Sequence, residues 1–170
     1  MTFRVVDTYV VATHFRKPTV SIQSRIVQSR FESPAQRAMV TMMVAAAHLI
    51  RDLEAVCAEH SITHDQYNVL RILRGAPPEG HPRYAIAERL IDRAPDVTRL
   101  LDRLGRDGLV ERARSPEDRR VSLSRITARG RARLGAIDPG ILAVHERFAA
   151  DLDADELGLL AALCERVLPG

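Results

Sequence analysis

The sequence contains no tryptophan and few other aromatic residues, with three tyrosines and four phenylalanines among 170 residues. Proteins that hold single-stranded nucleic acid stack the bases on aromatic rings, so this composition disfavours such a protein. Two cysteines, Cys57 and Cys164, are too few for a disulfide scaffold and for most structural zinc modules. The chain also lacks a signal-peptide pattern and any run of about 18 apolar residues that could cross a membrane. Because 46% of its residues are hydrophobic, we expect a globular protein with a core of its own. The low cysteine count and the missing signal-peptide pattern predict that this protein lies in a reducing compartment, the cytoplasm.

Signatures of enzyme catalysis are absent as well. The chain has no Gly-rich phosphate loop, no Gly-x-Ser-x-Gly and no His-Glu-x-x-His, so we predict neither an enzymatic activity nor a cofactor. Cys57, His60 and His64 have the spacing of metal ligands, but a helix boundary predicted near Thr63 keeps the two histidines off one helical face. We therefore expect a buried Cys57 and no metal site. A redox switch needs a cysteine beside cationic groups, and the apolar stripe around Cys164 does not favour one.

Positive charge is concentrated in the middle of the chain. The net charge is only +3, but residues 83–133 carry fourteen arginines and eight acidic residues. Residues 31–82 and 134–170, on either side, are each net acidic. An arginine-rich block between acidic segments is typical of a nucleic-acid-binding surface, although arginines interleaved with acids also occur on an ordinary solvated helix face. Residues 1–30 are basic, and they fit a flexible arm, a start site assigned too early or a transit peptide.

A long apolar helix is predicted before the basic block. Ser33 can cap this helix, Pro34 fits its first position and Gln36 completes a capping box. Eleven of the thirteen residues from 38 to 50 are apolar, so the helix must be buried nearly all round. From Ser33 to about His60 it would be about 40 Å long. A domain of this size cannot easily cover such a helix alone, and a second subunit is the natural cover.

The middle of the chain predicts three further helices and a β-hairpin. Thr63 and Gln66 form a second capping box, Pro95 fits a first helical turn, and Gly108 ends the third helix. After Gly108 the apolar residues alternate as in a strand. The predicted segments are helices beginning at 63 and spanning 84–91 and 95–108, a Gly- and Pro-rich loop over 75–82, and strands over 109–113 and 121–126.

Two helices are predicted after the hairpin. Thr127 caps the first of them, and Pro139 with Gly140 should kink or interrupt it. Asp153 and Glu156 form a capping box at the start of the second. The buried stripe predicted for this last helix consists of Leu160, Leu163, Cys164 and Val167.

This order predicts a mainly α protein with a small β-hairpin, in which a winged helix-turn-helix is flanked by dimerisation helices. In that arrangement the second helix of the pair enters the major groove of DNA. Four apolar residues of this helix, Val97, Leu100, Leu101 and Leu104, would face the core, which leaves the arginines of the same helix to face outward. Arginine binds guanine edges and suits a narrow minor groove, so the helix and the tip of the hairpin are candidate DNA contacts.

The central region resembles the MarR (multiple-antibiotic-resistance regulator) family of bacterial transcription factors. The matching segments are residues 62–73, 86–90, 97–104, 108–112, 116–120 and 126–130. With the flanking helices, the similarity extends over about residues 31–170. The resemblance implies a homodimer in which residues 31–62 and 127–170 form the dimerisation region, residues 63–126 form the DNA-binding lobe and residues 1–30 are an extension. It implies a repressor that binds a roughly palindromic operator in double-stranded DNA and is released by a small molecule.

The resemblance also implies the residues of the DNA-binding site. Asp118 and Arg120 match the Asp-x-Arg signature of the family's wing, in which the arginine reaches into the minor groove and the aspartate holds the wing through an ion pair. The predicted DNA-binding set is Pro95, Asp96, Thr98, Arg99, Arg103, Arg106, Arg114, Ser115, Asp118, Arg119 and Arg120. Asp96 departs from the family's pattern, and it would repel phosphate unless it caps the helix or accepts a hydrogen bond from a cytosine amino group.

A binding pocket for the effector is expected by resemblance between the winged lobe and the dimerisation helices. Its candidate wall residues are Met39, Met43, His48 and Tyr67, although methionines at helical spacing are more often plain core. Two other functions stay open at this point. One is a winged helix that binds protein instead of DNA, and the other is a DNA-binding protein without an effector.

Overall fold

The computed structural model describes residues 21–26, 30–91, 96–115 and 118–168. In these residues the helices are α1 (Ile22–Arg25), α2 (Pro34–Glu59), α3 (His64–Arg74), α4 (Arg83–Ala87), α5 (Val97–Arg106), α6 (Ala128–Ala149) and α7 (Ala154–Arg166). The strands are β1 (His81–Pro82), β2 (Val110–Arg114) and β3 (Ser122–Ile126). The chain divides into two compact units, residues 1–43 and residues 44–170. The predicted fold class, mainly helical with a small sheet, is confirmed. Most of the predicted extension over 1–30 lies outside the described residues.

Helix α2 begins where the sequence predicts, but its cap differs in one contact. The backbone N–H of Gln36 donates to Oγ of Ser33 over 3.1 Å, as in a capping box. The side-chain oxygen of Gln36 accepts from the backbone N–H of Glu32 instead of that of Ser33. Along the helix only Cys57 is buried within this chain. Several large apolar side chains of α2 are therefore exposed within this chain, among them Met39 and Met43. Apolar side chains on a helix are normally buried against a partner.

The second unit has one continuous hydrophobic core. The capping box predicted at Thr63 and Gln66 is confirmed in both of its hydrogen bonds, and it starts α3 with a buried face. The core joins α3, α4, α5, the hairpin and α6. Its largest fully buried side chains are Leu70, Leu73, Ile86, Leu104, Leu109, Leu134, Ile137, Val69, Val144 and Cys57. This core fixes the position of α5 relative to the hairpin.

The sheet has three strands in the order β1-β3-β2, all antiparallel. The two hairpin strands match the predicted ones to within one residue. Strand β1 lies in the segment predicted to be a loop, because a strand of two residues, one of them Pro82, gives no recognisable period. A loop residue just before β1 explains how it reaches β3: Gly80 has a φ of +92°, and a Cβ there would collide with the carbonyl oxygen of Ser124.

Helix α4 is shorter than the sequence predicts. It ends at Ala87, whereas the apolar period suggested a helix to residue 91. Beyond its end the backbone N–H groups of Arg89 and Leu90 donate to carbonyls three residues back, which is the tighter pattern of a 3₁₀ turn. Ile86 and Leu90 are nevertheless both buried.

Pro139 and Gly140 were predicted to kink or interrupt the first C-terminal helix, and the interruption is wrong. Helix α6 runs through both residues to Ala149. Its packing explains this, since Ile137 and Ile141 are buried on either side of the proline. Gly140 in turn fits closely against α2, where a Cβ would lie 2.7 Å from Cγ1 of Val56.

Helix α7 is capped as predicted but is not buried within this chain. Asp153 and Glu156 exchange both hydrogen bonds of a capping box. No residue of α7 is buried, and the stripe predicted to be buried is largely exposed, with Leu163 at 48% and Val167 at 63%. The stripe therefore has no cover within the described part of this chain.

Among the described residues, no cluster of His, Cys, Asp or Glu could hold a metal ion, and no helix is long and apolar enough to cross a membrane. Cys57 is fully buried, and this burial, with a smaller effect of the Glu54 carboxylate, raises the pKa of its thiol to about 11. A raised pKa favours the neutral thiol, which is a poor nucleophile.

We expect Cys57 to resist alkylation in the folded protein. At pH 7.5 the raised pKa lowers the thiolate fraction roughly a hundredfold relative to an unperturbed cysteine, and burial blocks access to the sulfur. Iodoacetamide treatment with peptide mapping by mass spectrometry should label Cys57 only after unfolding in urea. Labelling of Cys57 in the native protein within tenfold of the rate in urea would contradict the raised pKa.

Candidate nucleic-acid interface

Asp96 forms the N-terminal cap of α5. Its Oδ1 accepts from the backbone N–H groups of Thr98 and Arg99, at 3.1 and 3.2 Å. The other carboxylate oxygen lies 3.2 Å from Nε of Arg99. A carboxylate at a helix N-terminus is stabilised by the unpaired N–H groups and the helix dipole. The predicted conflict between Asp96 and phosphate is therefore resolved by capping, whereas Pro95 lies outside the described residues.

Helix α5 separates an apolar face from a basic one. Val97, Leu101 and Leu104 are buried in the core, as predicted, whereas Leu100 packs against the core and is only partly buried. The predicted contact residues on the opposite side are exposed, and they are Thr98, Arg99, Arg103 and Arg106. The side chain of Arg99 is 87% exposed. This basic face is free to meet another molecule.

Arg103 lies at the edge of the basic face of α5. It lines a shallow cleft of about 320 Å³ between α5 and the junction of α2 with α3, together with Asp107, Ser61 and Gln66. Arg99, one turn nearer the N-terminus, does not line this cleft. The two arginines therefore differ in surroundings although the sequence treats them alike.

We call the tip of the hairpin, residues 114, 115 and 118–120, the wing. It is held by side chains that were included in the predicted DNA-binding set. Nη1 of Arg114 donates to the carbonyl oxygen of Arg119 over 2.7 Å. Oδ1 of Asp118 accepts from the backbone N–H of Arg120 over 2.9 Å, and Oγ of Ser115 accepts from the backbone N–H of Asp118. Within the described part of the wing, the carboxylate of Asp118 forms this hydrogen bond to backbone in place of the predicted ion pair, because it folds back over its own turn.

The side chains of two wing arginines take no part in the hydrogen bonds that hold the described part of the wing. Arg119 and Arg120 are exposed, and their guanidinium groups form no hydrogen bond or ion pair within the described residues. Arg114 differs from them, because its guanidinium donates a hydrogen bond within the wing. The structure therefore separates arginines that shape the wing from arginines that are available to a ligand.

An ion pair that the sequence did not predict connects α5 to the hairpin. Nη2 of Arg112, in the middle of β2, lies 2.6 Å from Oδ1 of Asp102 on α5. Helical spacing would instead suggest that Asp102 pairs with Arg99 or Arg106. Only the packing of β2 against α5 brings Arg112 near, so no local pattern could reveal the contact.

The predicted effector-pocket residues lie in different surroundings. Tyr67 is buried, its ring stacks on His64 with centroids 6.3 Å apart, and burial raises the pKa of its hydroxyl. His48 shares a hydrogen bond with Arg51, whereas Met39 and Met43 are exposed. A second cleft of about 320 Å³ lies behind the hairpin, and neither cleft is lined by these four residues. The effector pocket stays a prediction.

The arrangement of α3, α4, α5 and the hairpin is that of a winged helix-turn-helix, and comparisons with known proteins agree. The MarR family model matches residues 62–122. A MarR transcription factor from Planctomyces limnophilus is 38% identical, with 81% of this chain and 100% of that chain covered and a TM-score of 0.61. This identity extends over the helices on both sides of the winged lobe.

Two further crystal structures show relatives with ligands. A cysteine-to-serine mutant of MarR from E. coli, complexed with operator DNA, is 26% identical, covers 88% of this chain and 100% of its own, and has a TM-score of 0.68. The PcaV transcriptional regulator from Streptomyces coelicolor, in complex with its natural ligand, is 28% identical, covers 80% and 92%, and has a TM-score of 0.62. With the family model and the relative at 38% identity, these similarities show that the chain belongs to the MarR family of transcription factors.

Proposed function

We propose that this chain is a cytoplasmic, homodimeric repressor of transcription that binds a roughly palindromic operator and is released by a small molecule. The observation that carries the proposal is the exposed basic face of α5 beside a wing with two available arginines, Arg119 and Arg120. Arginines on such a helix can bond to base edges in the major groove, and wing arginines suit the narrow minor groove. No enzymatic activity is part of this proposal.

The DNA-binding lobe, residues 63–126, would present two contacts per subunit. Helix α5 enters the major groove, where Arg99 reads base edges and Thr98 contacts bases or phosphate. The wing enters the adjacent minor groove through Arg119 and Arg120. Asp96, Arg114, Ser115 and Asp118 act by shaping these elements, in keeping with the hydrogen bonds that they form.

The dimerisation region, residues 31–62 and 127–170, would provide the second half-site. Support comes from the uncovered apolar side chains of α7 and of α2, for which burial in a dimer is the ordinary solution. Two lobes related by a twofold axis then bind two inverted half-sites. The spacing of the two lobes decides whether the dimer fits both half-sites. A small molecule that binds preferentially to a dimer with another lobe spacing shifts the population to that state and so releases the DNA.

The direct test is selection and sequencing of DNA bound by the purified protein. A random double-stranded library should yield one enriched, roughly palindromic sequence, and a promoter carrying that sequence should be silenced by the protein in a reporter strain. A protein-binding winged helix would enrich no sequence. An activator would raise reporter expression, and a regulator without an effector would stay on DNA with every compound screened.

Arg99 is expected to read a base. Arg99→Ala should cost about 1–3 kcal/mol of operator binding and relax the preference at one operator position, because a bidentate contact to a base edge is lost. Arg103→Ala is the matched comparison, since that arginine lies at the edge of the basic face. Binding titrations on the operator and on random DNA separate the roles. Equal weakening of both complexes by Arg99→Ala would make Arg99 a phosphate contact instead of a base reader.

A further inference from the structure

The ion pair between Asp102 and Arg112 lies between the two elements that are proposed to bind DNA. Asp102 is on α5, and Arg112 is at the centre of β2 in the hairpin. Among the described residues, it is the one side-chain hydrogen bond that joins α5 to β2. The base of the hairpin is held separately, by the hydrogen bonds of Thr127 to Gly108 and Leu109. The pair therefore connects α5 to the hairpin at a point beyond its base.

The guanidinium of Arg112 has donors to spare. It carries five N–H groups, and among the described residues Nη2 alone is bonded, to Oδ1 of Asp102. Both side chains of the pair are about half exposed, at 50% and 51%. The strand alternation places Arg112 on the same face as Arg114, whereas Glu111 lies on the other face and lines the cleft behind the hairpin. The remaining donors of Arg112 thus belong to the face that carries the wing's Arg114.

We propose that Arg112 binds the sugar-phosphate backbone of the operator and that Asp102 is the positioning residue that holds it there. This inference rests on the proposed DNA-binding function. When α5 occupies the major groove and the wing occupies the adjacent minor groove, one phosphate backbone runs between them. Arg112 lies at the centre of β2, and its side chain contacts α5 on one side while the strand continues from it to the wing tip. The donors of Arg112 that do not bond to Asp102 would meet a phosphate oxygen at this place.

Asp102 fixes the guanidinium by a charge-assisted bond and limits its rotamers. An arginine already held in place loses less conformational entropy when it binds a phosphate. The carboxylate would by itself repel DNA. We therefore expect Asp102 to strengthen DNA binding, although its negative charge alone would weaken it.

Two substitutions with opposite charge changes test the proposal. Arg112→Gln should weaken binding to operator and to random DNA by a similar factor, about fivefold to tenfold, and lower the slope of log affinity against log salt by about one. Asp102→Ala should weaken binding about threefold at unchanged thermal stability. The double variant should bind as Arg112→Gln does, because Asp102 acts only through Arg112.

Matched controls separate these effects from net charge. Asp107→Ala removes the same charge at the end of α5 from a side chain without a hydrogen bond or ion pair among the described residues, and it should leave affinity equal or slightly higher. Arg131→Gln removes a positive charge from the cleft behind the hairpin and should change affinity less than twofold. Tighter binding by Asp102→Ala, or an unchanged salt slope in Arg112→Gln, would overturn the proposal.

Neutralised phosphates give a test that starts from the wild-type protein. Operator duplexes with a single methylphosphonate at each backbone position in turn should reveal one position per half-site, between the two grooves, at which wild-type affinity falls. At that position Arg112→Gln should show no further loss. A loss of equal size in both proteins at every position would refute the contact. Absence of operator binding by the wild type would instead refute the proposed function itself.

Discussion

Replacement of Leu163 by glutamate is expected to turn the protein into a monomer and to lower its operator affinity at least a hundredfold. Leu163 lies on the uncovered stripe of α7 with Leu160 and Val167, and burying an unpaired carboxylate there is costly. A monomer keeps one lobe and loses the second half-site. Joining two half-sites in one dimer is worth roughly 10²–10⁴ in affinity, so most of the operator binding depends on the interface.

Light scattering coupled to size exclusion at micromolar concentration measures the first effect, and binding titrations on the full operator and on a single half-site measure the second. Ala162→Glu is the matched control, since it adds the same charge to the opposite side of α7, and it should remain dimeric. Half-site affinity should be similar in all three proteins. A wild type that is monomeric at micromolar concentration would contradict the dimer, and a dimeric Leu163→Glu would place the interface elsewhere.

The elements that local chemistry determines were predictable from the sequence. Capping boxes at Thr63 and Asp153 need only residues within three positions, and both are present as predicted. Strand β1 and the continuity of α6 depend on partners far away in sequence. Pro139 is tolerated because buried neighbours hold α6 on the core, and this tertiary packing outweighs the local preference for a break.

The candidate site shows the same division. The sequence places exposed arginines on α5 because the apolar period of a helix fixes which side faces outward, and the structure agrees for Arg99 and Arg106. The sequence does not show which of these arginines already form hydrogen bonds within the protein. Arg114 bonds to the wing and Arg112 to Asp102, and both contacts arise from pairing of strands or packing of β2 on α5. Residue type thus predicts the surface, while the fold decides which donors remain for DNA.

Removal of the Arg120 side chain is expected to cost much of the operator affinity. Arg120→Ala should weaken operator binding about tenfold and shrink the salt slope by about one unit, because a charge that we propose to enter the minor groove is lost. Thermal stability should barely change, since the guanidinium has no partner within the described residues and exposed pairs contribute at most about 1 kcal/mol. Salt titrations and thermal melts of the two proteins measure both. Unchanged affinity would remove the wing from the mechanism.

Asp118 provides the sharper test of the wing, because charge and geometry predict opposite signs. Asp118→Ala removes a negative charge from the DNA-facing tip, which by charge alone would tighten binding. It also removes the acceptor that holds the backbone N–H of Arg120 at 2.9 Å, so we expect a looser tip and weaker operator binding. Asp118→Asn separates the two effects, since its side-chain oxygen still accepts from Arg120 without the charge. That variant should bind at least as tightly as the wild type, and tighter binding by Asp118→Ala would show that the carboxylate does not hold the wing.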